Sequence, residues 1–391
     1  MGNKKCGVFD YLEWRGDLTF TQSGFNEIDA LILSIFAYLD FSYIDHEEIF
    51  FFRNAIQKLN QLPDEEKYRG PTVDIMHLIV KLAVRAAEYP RFQEIGVYNF
   101  ENITDEKKEI QFAAVTFILP DQTAFISFRG TDNTLIGWKE DLNMCFASGI
   151  PSQIEATEYA ERIAIRINMA LRIGGHSKGG NLAVWAGTHL PIEFQSRIIN
   201  IYSNDGPGFS EEFLKSSGYL GVREKICSFV PESSIVGVLM EHDEYTTILS
   251  SNPTVLQHDP FSWLIIGTHF IYDNTRTISG KQFERIINSW IRSMSVEERE
   301  DLINSVYGIV SASHAKTIDD IDKKKIKSIL SMQKTFREMG VKRQTQLILS
   351  LSKVIFNKDI LANSNIFTLL SEDDEAKMDK NHRGNAHLGE I

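Results

Sequence analysis

The most constraining stretch of the chain runs from Ile173 to Gly187, where a short apolar run passes into an apolar helical pattern through Gly175-His176-Ser177-Lys178-Gly179. This is the G-x-S-x-G spacing of a nucleophile elbow, a strand-to-helix turn so sharp that its flanking residues must be small. Such a turn exposes the Ser177 hydroxyl at a helix N-terminus, where backbone N–H groups and the helix dipole favour developing negative charge. The remaining residues can therefore be read for the other parts of an acyl-transfer site.

In chain order, Phe25 to Leu39 places apolar residues at helical spacing, and His46 to Leu62 and Val73 to Ala87 predict two more helices around a polar loop from Pro63 to Pro71. The first hundred residues thus read as mostly helical. Gln111 to Leu119 and Thr123 to Phe128 are β-rich runs joined by Pro120-Asp121-Gln122, the turn chemistry of a hairpin. A helix over Glu155 to Leu171, the elbow strand and helix, and strands over Arg197 to Ser203 and Lys225 to Val230 follow. Strands alternating with helices predict an α/β fold, a mostly parallel sheet covered on both faces, with chemistry at the carboxyl ends of its strands. Thr131, Ser177 and Asp205 each fall just past such an end.

Beyond Asn274 the pattern changes to amphipathic helices over Lys281 to Met294, Val296 to Ser313, Ile318 to Met339 and Arg343 to Phe356. The expected organisation is a catalytic unit over 1–273 with an N-terminal helical segment, a helical appendage over 274–370, and a disordered polar tail over 371–391.

Serine hydrolysis needs a nucleophile, a histidine to take its proton, an acid to orient that histidine, and N–H donors for the oxyanion. Ser177 is the nucleophile. The residue after it, Lys178, supplies one donor, and Thr131 in Arg129-Gly130-Thr131 supplies the second from the loop after an earlier strand. The base is expected downstream. His258, on the polar loop Gln257-His258-Asp259-Pro260, fits that place, whereas His242 lies in an acidic surface run and His269 reads as a packed core residue. Asp205, held in the turn Asn204-Asp205-Gly206-Pro207-Gly208, is the favoured acid, with Glu232 and Asp259 as competitors. Two readings of Lys178 and Arg129 stand: cations for an anionic group on the substrate, or cations that are simply solvated or salt-bridged.

A net charge of −12 over 391 residues leaves no basic stripe for phosphate backbones, so nucleic acid is excluded as a partner. The widely spaced Cys6, Cys145 and Cys227 give neither a disulfide framework nor a zinc site, and nothing in the sequence calls for a cofactor or metal. No signal core or membrane-spanning run is present, so the expected location is cytoplasmic.

These residues resemble a known family. Phe128-Arg129-Gly130-Thr131, Trp138, Asp141 and Gly175-His176-Ser177 look like the class 3 lipases of the α/β-hydrolase fold. Tyr11 to Asp17, Phe25-Asn26-Glu27, Gly175 to Asn181, Asn204 to Gly208 and Gln257-His258-Asp259 resemble, more closely, the bacterial Mbeg-like group, in the same order and over roughly residues 8 to 370. The resemblance implies a lipase-like serine hydrolase carried by Ser177, His258 and Thr131, acting on a lipid-like or other acyl ester with room for transient contact with a membrane surface. Two departures stand out. Class 3 lipases usually have leucine where Lys178 stands, and they take their acid from a position filled here by Ser234, which moves the acid to Asp205. A binding or scaffolding protein on the same fold, or transfer of the acyl group to an alcohol or thiol, are the rival functions.

Overall fold

The computed structural model describes residues 6–45, 47–132, 134–144, 149–252, 254–273, 294–312, 325–340 and 344. Its centre is an eight-stranded sheet in which the strands follow one another in chain order. They are β1 (Phe50–Phe51), β2 (Gly96–Asp105), β3 (Ile110–Ile118), β4 (Thr123–Phe128), β5 (Ala170–His176), β6 (Ile198–Asn204), β7 (Ile226–Pro231) and β8 (Thr246–Ile248). The first three pairings are antiparallel and the four from β4 to β8 are parallel. Helices cover both faces, and the elbow lies at the carboxyl end of β5. This is an α/β fold with a mostly parallel sheet covered on both faces, as the sequence predicts.

β4 shows why the strands read as apolar runs. Ala124, Ile126 and Phe128 pack on one face with Ala160, Ile163 and Leu182, while Phe125 packs on the other with the N-terminal helices. A strand buried on both sides favours apolar residues on both faces rather than at alternate positions only, and its buried Ser127 donates to the Leu33 carbonyl. The N-terminal face is formed by α1 (Val8–Arg15), α2 (Glu27–Phe36), α3 (Phe52–Leu59) and α4 (Val73–Ala86). α2 begins at Asn26, whose side chain accepts from the Ile28 and Asp29 N–H groups while Asp29 accepts from the Asn26 N–H, a reciprocal cap. On the opposite face lie α5 (Leu135–Met144), α6 (Pro151–Arg166) and the elbow helix α7 (Lys178–His189).

Two expectations are corrected and one strand is added. β2 begins at the end of the mostly helical first hundred residues and carries no element predicted from the sequence, because a bulge between Tyr98 and Glu101, with Asn99 at a φ of 49°, breaks the alternation that would mark a strand. α6 starts at Ile150-Pro151, where proline suits a first turn, and ends at Arg166, leaving Ala170 and Leu171 to β5. His269 is exposed beside Glu27 rather than buried, at 3.5 Å from its carboxylate. After residue 293, α8 (Val296–Ser311) and α9 (Lys325–Glu338) pack on each other through Leu302, Val306 and Phe336, and Lys139 of α5 sits over the Tyr307 ring. The helix expected over 343–356 apart from residue 344, the helix over 281–294 up to residue 293 and the helix over 318–339 up to residue 324, together with the tail from 371, lie outside the described residues. Among the described residues no helix is long and apolar enough to cross a membrane.

Candidate active site

The elbow takes the form its glycines allow. Ser177 has φ 59° and ψ −131°, a conformation costly for a residue with a side chain, and stands immediately before the first residue of α7 with no side-chain hydrogen bond to the helix. Its N–H donates to the Asn204 carbonyl and its carbonyl accepts from Gly180, each at 2.9 Å. A Cβ at Gly179 would stand 2.1 Å from the Phe128 carbonyl oxygen, and one at Gly175 would stand 2.3 Å from the Gly179 carbonyl carbon. Any larger residue at either position would push the elbow off β4. Asn181, one turn into α7, donates to the Pro207 and Gly208 carbonyls at 3.1 Å and so ties the helix to the turn after β6.

That turn carries Asp205, which is fully buried, has a φ of 54°, and donates its N–H to the Phe229 carbonyl. Its carboxylate is turned to other elements rather than to its own backbone. One oxygen, Oδ2, accepts from His258 Nδ1 at 2.7 Å and from the Ser234 hydroxyl at 2.7 Å. Ser234 thus touches the same carboxylate oxygen as the histidine. The competitors are engaged elsewhere: Glu232 accepts from Gln257 Nε2, and Asp259 caps the turn at Phe261, where burial raises its pKa. Of the other histidines, His242 packs edge-on against Tyr245.

His258 is held from behind. The Trp263 indole donates to the Gln257 carbonyl at 2.8 Å, and His176 Nε2 donates to the His258 carbonyl at 2.9 Å. Burial pushes the His176 pKa well below the ordinary range and keeps it neutral. Because a carbonyl only accepts, the His176 proton sits on Nε2, and Nδ1 accepts from the Tyr38 hydroxyl at 3.2 Å. The two imidazoles lie 4.6 Å apart. Sequence reading assigned no role to His176, Tyr38 or Ser234. The only signals available were that His176 precedes the serine and that Ser234 replaces an expected acid.

Thr131 lies just past β4, its hydroxyl donating to Asp141 Oδ2 of α5 at 2.5 Å. Asp141 has its pKa pushed up to about 6 by burial, against the pull of the Lys178 ammonium and the Thr131 hydrogen bond. The Lys178 side chain points away from the serine into the protein. Its ammonium donates to the Gln111 carbonyl at 2.6 Å, to Gln111 Oε1 at 2.7 Å and to Glu140 Oε2 at 3.0 Å. Arg129 faces Asp132 at 3.5 Å and donates to Asn102, with burial lowering its pKa. Both cations are therefore held in ion pairs, and the reading that assigns them to an anionic substrate is not followed by the geometry.

Ser177, His258, Thr131 and Lys178 all border one cavity of about 440 Å³. Its walls are largely apolar: Ile35, Ile75 and Ile79 from α2 and α4, Trp138 and Leu142 from α5, and Leu239 beyond β7. The volume falls within the ~300–1,000 Å³ range of ligand pockets. Two apolar side chains at its border are open to solvent, Trp138 at 51% and Leu142 at 42% exposure. Among the described residues no group of His, Cys, Asp and Glu is arranged to hold a metal ion.

Comparison with solved structures finds fungal and other lipases. Rhizomucor miehei lipase in its propeptide complex is 16% identical with a TM-score of 0.31, over 41% of this chain and 58% of that one. M37 lipase is 13% identical with a TM-score of 0.33, over 54% of this chain and 68% of that one. Lipase II from Rhizopus niveus is 14% identical with a TM-score of 0.32, over 55% and 81% respectively. No curated protein matches the sequence. The sequence model of the Mbeg1-like family matches residues 86–308, more than half of the chain and a span that contains the elbow, the Asp205 turn and His258, so the chain belongs to the Mbeg1-like family.

Proposed function

We propose that this protein is a serine hydrolase that cleaves a carboxylic ester with an apolar acyl group. The observation that carries the proposal is the 2.7 Å hydrogen bond from His258 to the buried Asp205, beside the cavity that the strained Ser177 borders. Asp205 accepts from Nδ1, which leaves Nε2 of His258 as the atom that takes a proton. His258 removes the Ser177 hydroxyl proton, and Oγ adds to the ester carbonyl. The oxyanion is met by the backbone N–H groups of Lys178, at the N-terminus of α7, and of Thr131, just past β4. Collapse of this intermediate breaks the ester C–O bond, with His258 returning the proton to the leaving alkoxide. Water, deprotonated by the same imidazole, then releases the acid from Ser177. The apolar walls suit the acyl chain, and the engaged Lys178 and Arg129 offer an anion no free partner.

A fluorophosphonate probe and short p-nitrophenyl esters test this. The wild-type chain is expected to be labelled and to turn over, and Ser177→Ala to lose labelling and about 10³-fold or more in kcat. Equal labelling of Ser177→Ala, or an inert wild type, overturns the proposal.

A further inference from the structure

The cation directly after the nucleophile invites a different role from substrate contact. The Lys178 side chain is 1% exposed and all three of its N–H donors are taken, two by Gln111 at the start of β3 and one by Glu140. Glu140 is equally buried, and its oxygens also accept the Gln111 N–H at 3.0 Å and the Ser152 N–H at 2.9 Å. One ion pair thus joins the elbow, β3, α5 and the first turn of α6. The next residue on α5, Asp141, accepts from Thr131, and its other oxygen lies 4.0 Å from the Lys178 ammonium. α5 also approaches Thr131 closely through Gly137, where a Cβ would stand 2.9 Å from the Thr131 methyl and 3.2 Å from Gln111 Oε1.

We propose that Lys178 is a positioning residue whose ammonium, bound to Glu140 and Gln111, fastens α5 and through it the Thr131 arm beside Ser177 in the free enzyme. The site's two oxyanion donors are then set by the same residue from opposite directions: the Lys178 N–H directly, the Thr131 N–H by way of Glu140, α5 and Asp141. The oxyanion site needs no closing movement of α5 when substrate enters. This inference rests on the serine-hydrolase reading for its catalytic consequence, but the fixing of α5 is testable without turnover.

The first measurement uses the wild-type chain. In hydrogen exchange without substrate, the amides of α5 are expected to exchange within about 10²-fold of those of α7, and faster exchange overturns the proposal. The second compares Lys178→Met and Glu140→Gln with wild type on a short p-nitrophenyl ester, with rates normalised to the serine labelled by fluorophosphonate. A fall in kcat of at least about tenfold with KM changed less than about threefold is expected for both, since a misplaced oxyanion donor acts on the transition state. A smaller change in kcat per labelled serine overturns it, because a purely structural pair would lower only the amount of labelled protein. Should Lys178→Met not fold, Glu140→Gln and the wild-type exchange rates decide. An inert, unlabelled wild type refutes the hydrolase reading instead, and the exchange rates still decide whether α5 is fastened.

Discussion

Asp205 illustrates how one carboxylate acquires a role from three elements that are far apart in sequence. The turn after β6 gives it a left-handed backbone and full burial, the loop before Trp263 brings His258 to one of its oxygens, and the segment after β7 adds the Ser234 hydroxyl to that same oxygen. In the mechanism proposed above, a buried carboxylate bound to an imidazole stabilises the imidazolium that forms when the serine is deprotonated. Asp205→Asn is therefore expected to lower kcat by about 10³- to 10⁴-fold with little change in KM. Glu232→Gln, which alters a carboxylate bound to Gln257 instead, is expected to stay within about threefold of wild type. Steady-state kinetics on one ester checks both, and the reverse order of effects would move the acid to Glu232.

At the scale of the element, α5 carries a titratable group whose environment opposes its charge. Asp141 is raised from an ordinary value of 3.8 to about 6, chiefly by burial. A carboxyl raised on folding favours the folded state fully below the ordinary value, and that contribution is lost as pH rises through about 6. Asparagine in its place has no charge to bury. Asp141→Asn is accordingly expected to gain stability relative to wild type between about pH 4 and about pH 7, by on the order of 1 kcal/mol given the partial exposure of the side chain. Thermal unfolding across that range measures the gain, and a difference that stays flat or reverses refutes the assignment.

At the scale of the whole molecule, the N-terminal helices do more than cover the sheet. Residues 35, 38, 71, 72, 75 and 79 border the cavity yet lie before residue 86, where the family match begins. Ile75→Trp, which fills part of that wall, is expected to lower kcat/KM for p-nitrophenyl octanoate about tenfold or more relative to the acetate. An unchanged ratio between the two esters would remove α4 from the acyl site. The same N-terminal layer is held by Arg91, which is completely buried, binds Asp29 at 2.6 and 2.7 Å, and donates to the carbonyls of Leu18, Ser23 and Gly24. Arg91→Met leaves Asp29 buried without its cation and is expected to cost about 3–5 kcal/mol in denaturant unfolding. A loss under about 1 kcal/mol would show that the layer is held by its apolar contacts alone.

Sequence alone determined the features that depend on local chemistry. The glycines around Ser177 and the apolar runs of β3 to β7 are readable because the constraint acts between residues near one another in the chain. β2 was not readable, since its bulge erases the alternation on which the reading depends. The tertiary structure alone decided which carboxylate meets His258, where Ser234 stands, and that the Lys178 ammonium is bound by Glu140 and Gln111 instead of facing the cavity. These are contacts between residues about 30 to 70 positions apart, and no local spacing encodes them. They follow only once the sheet fixes its strand ends side by side, which makes burial and hydrogen bonding, rather than residue type, assign each polar side chain its partner.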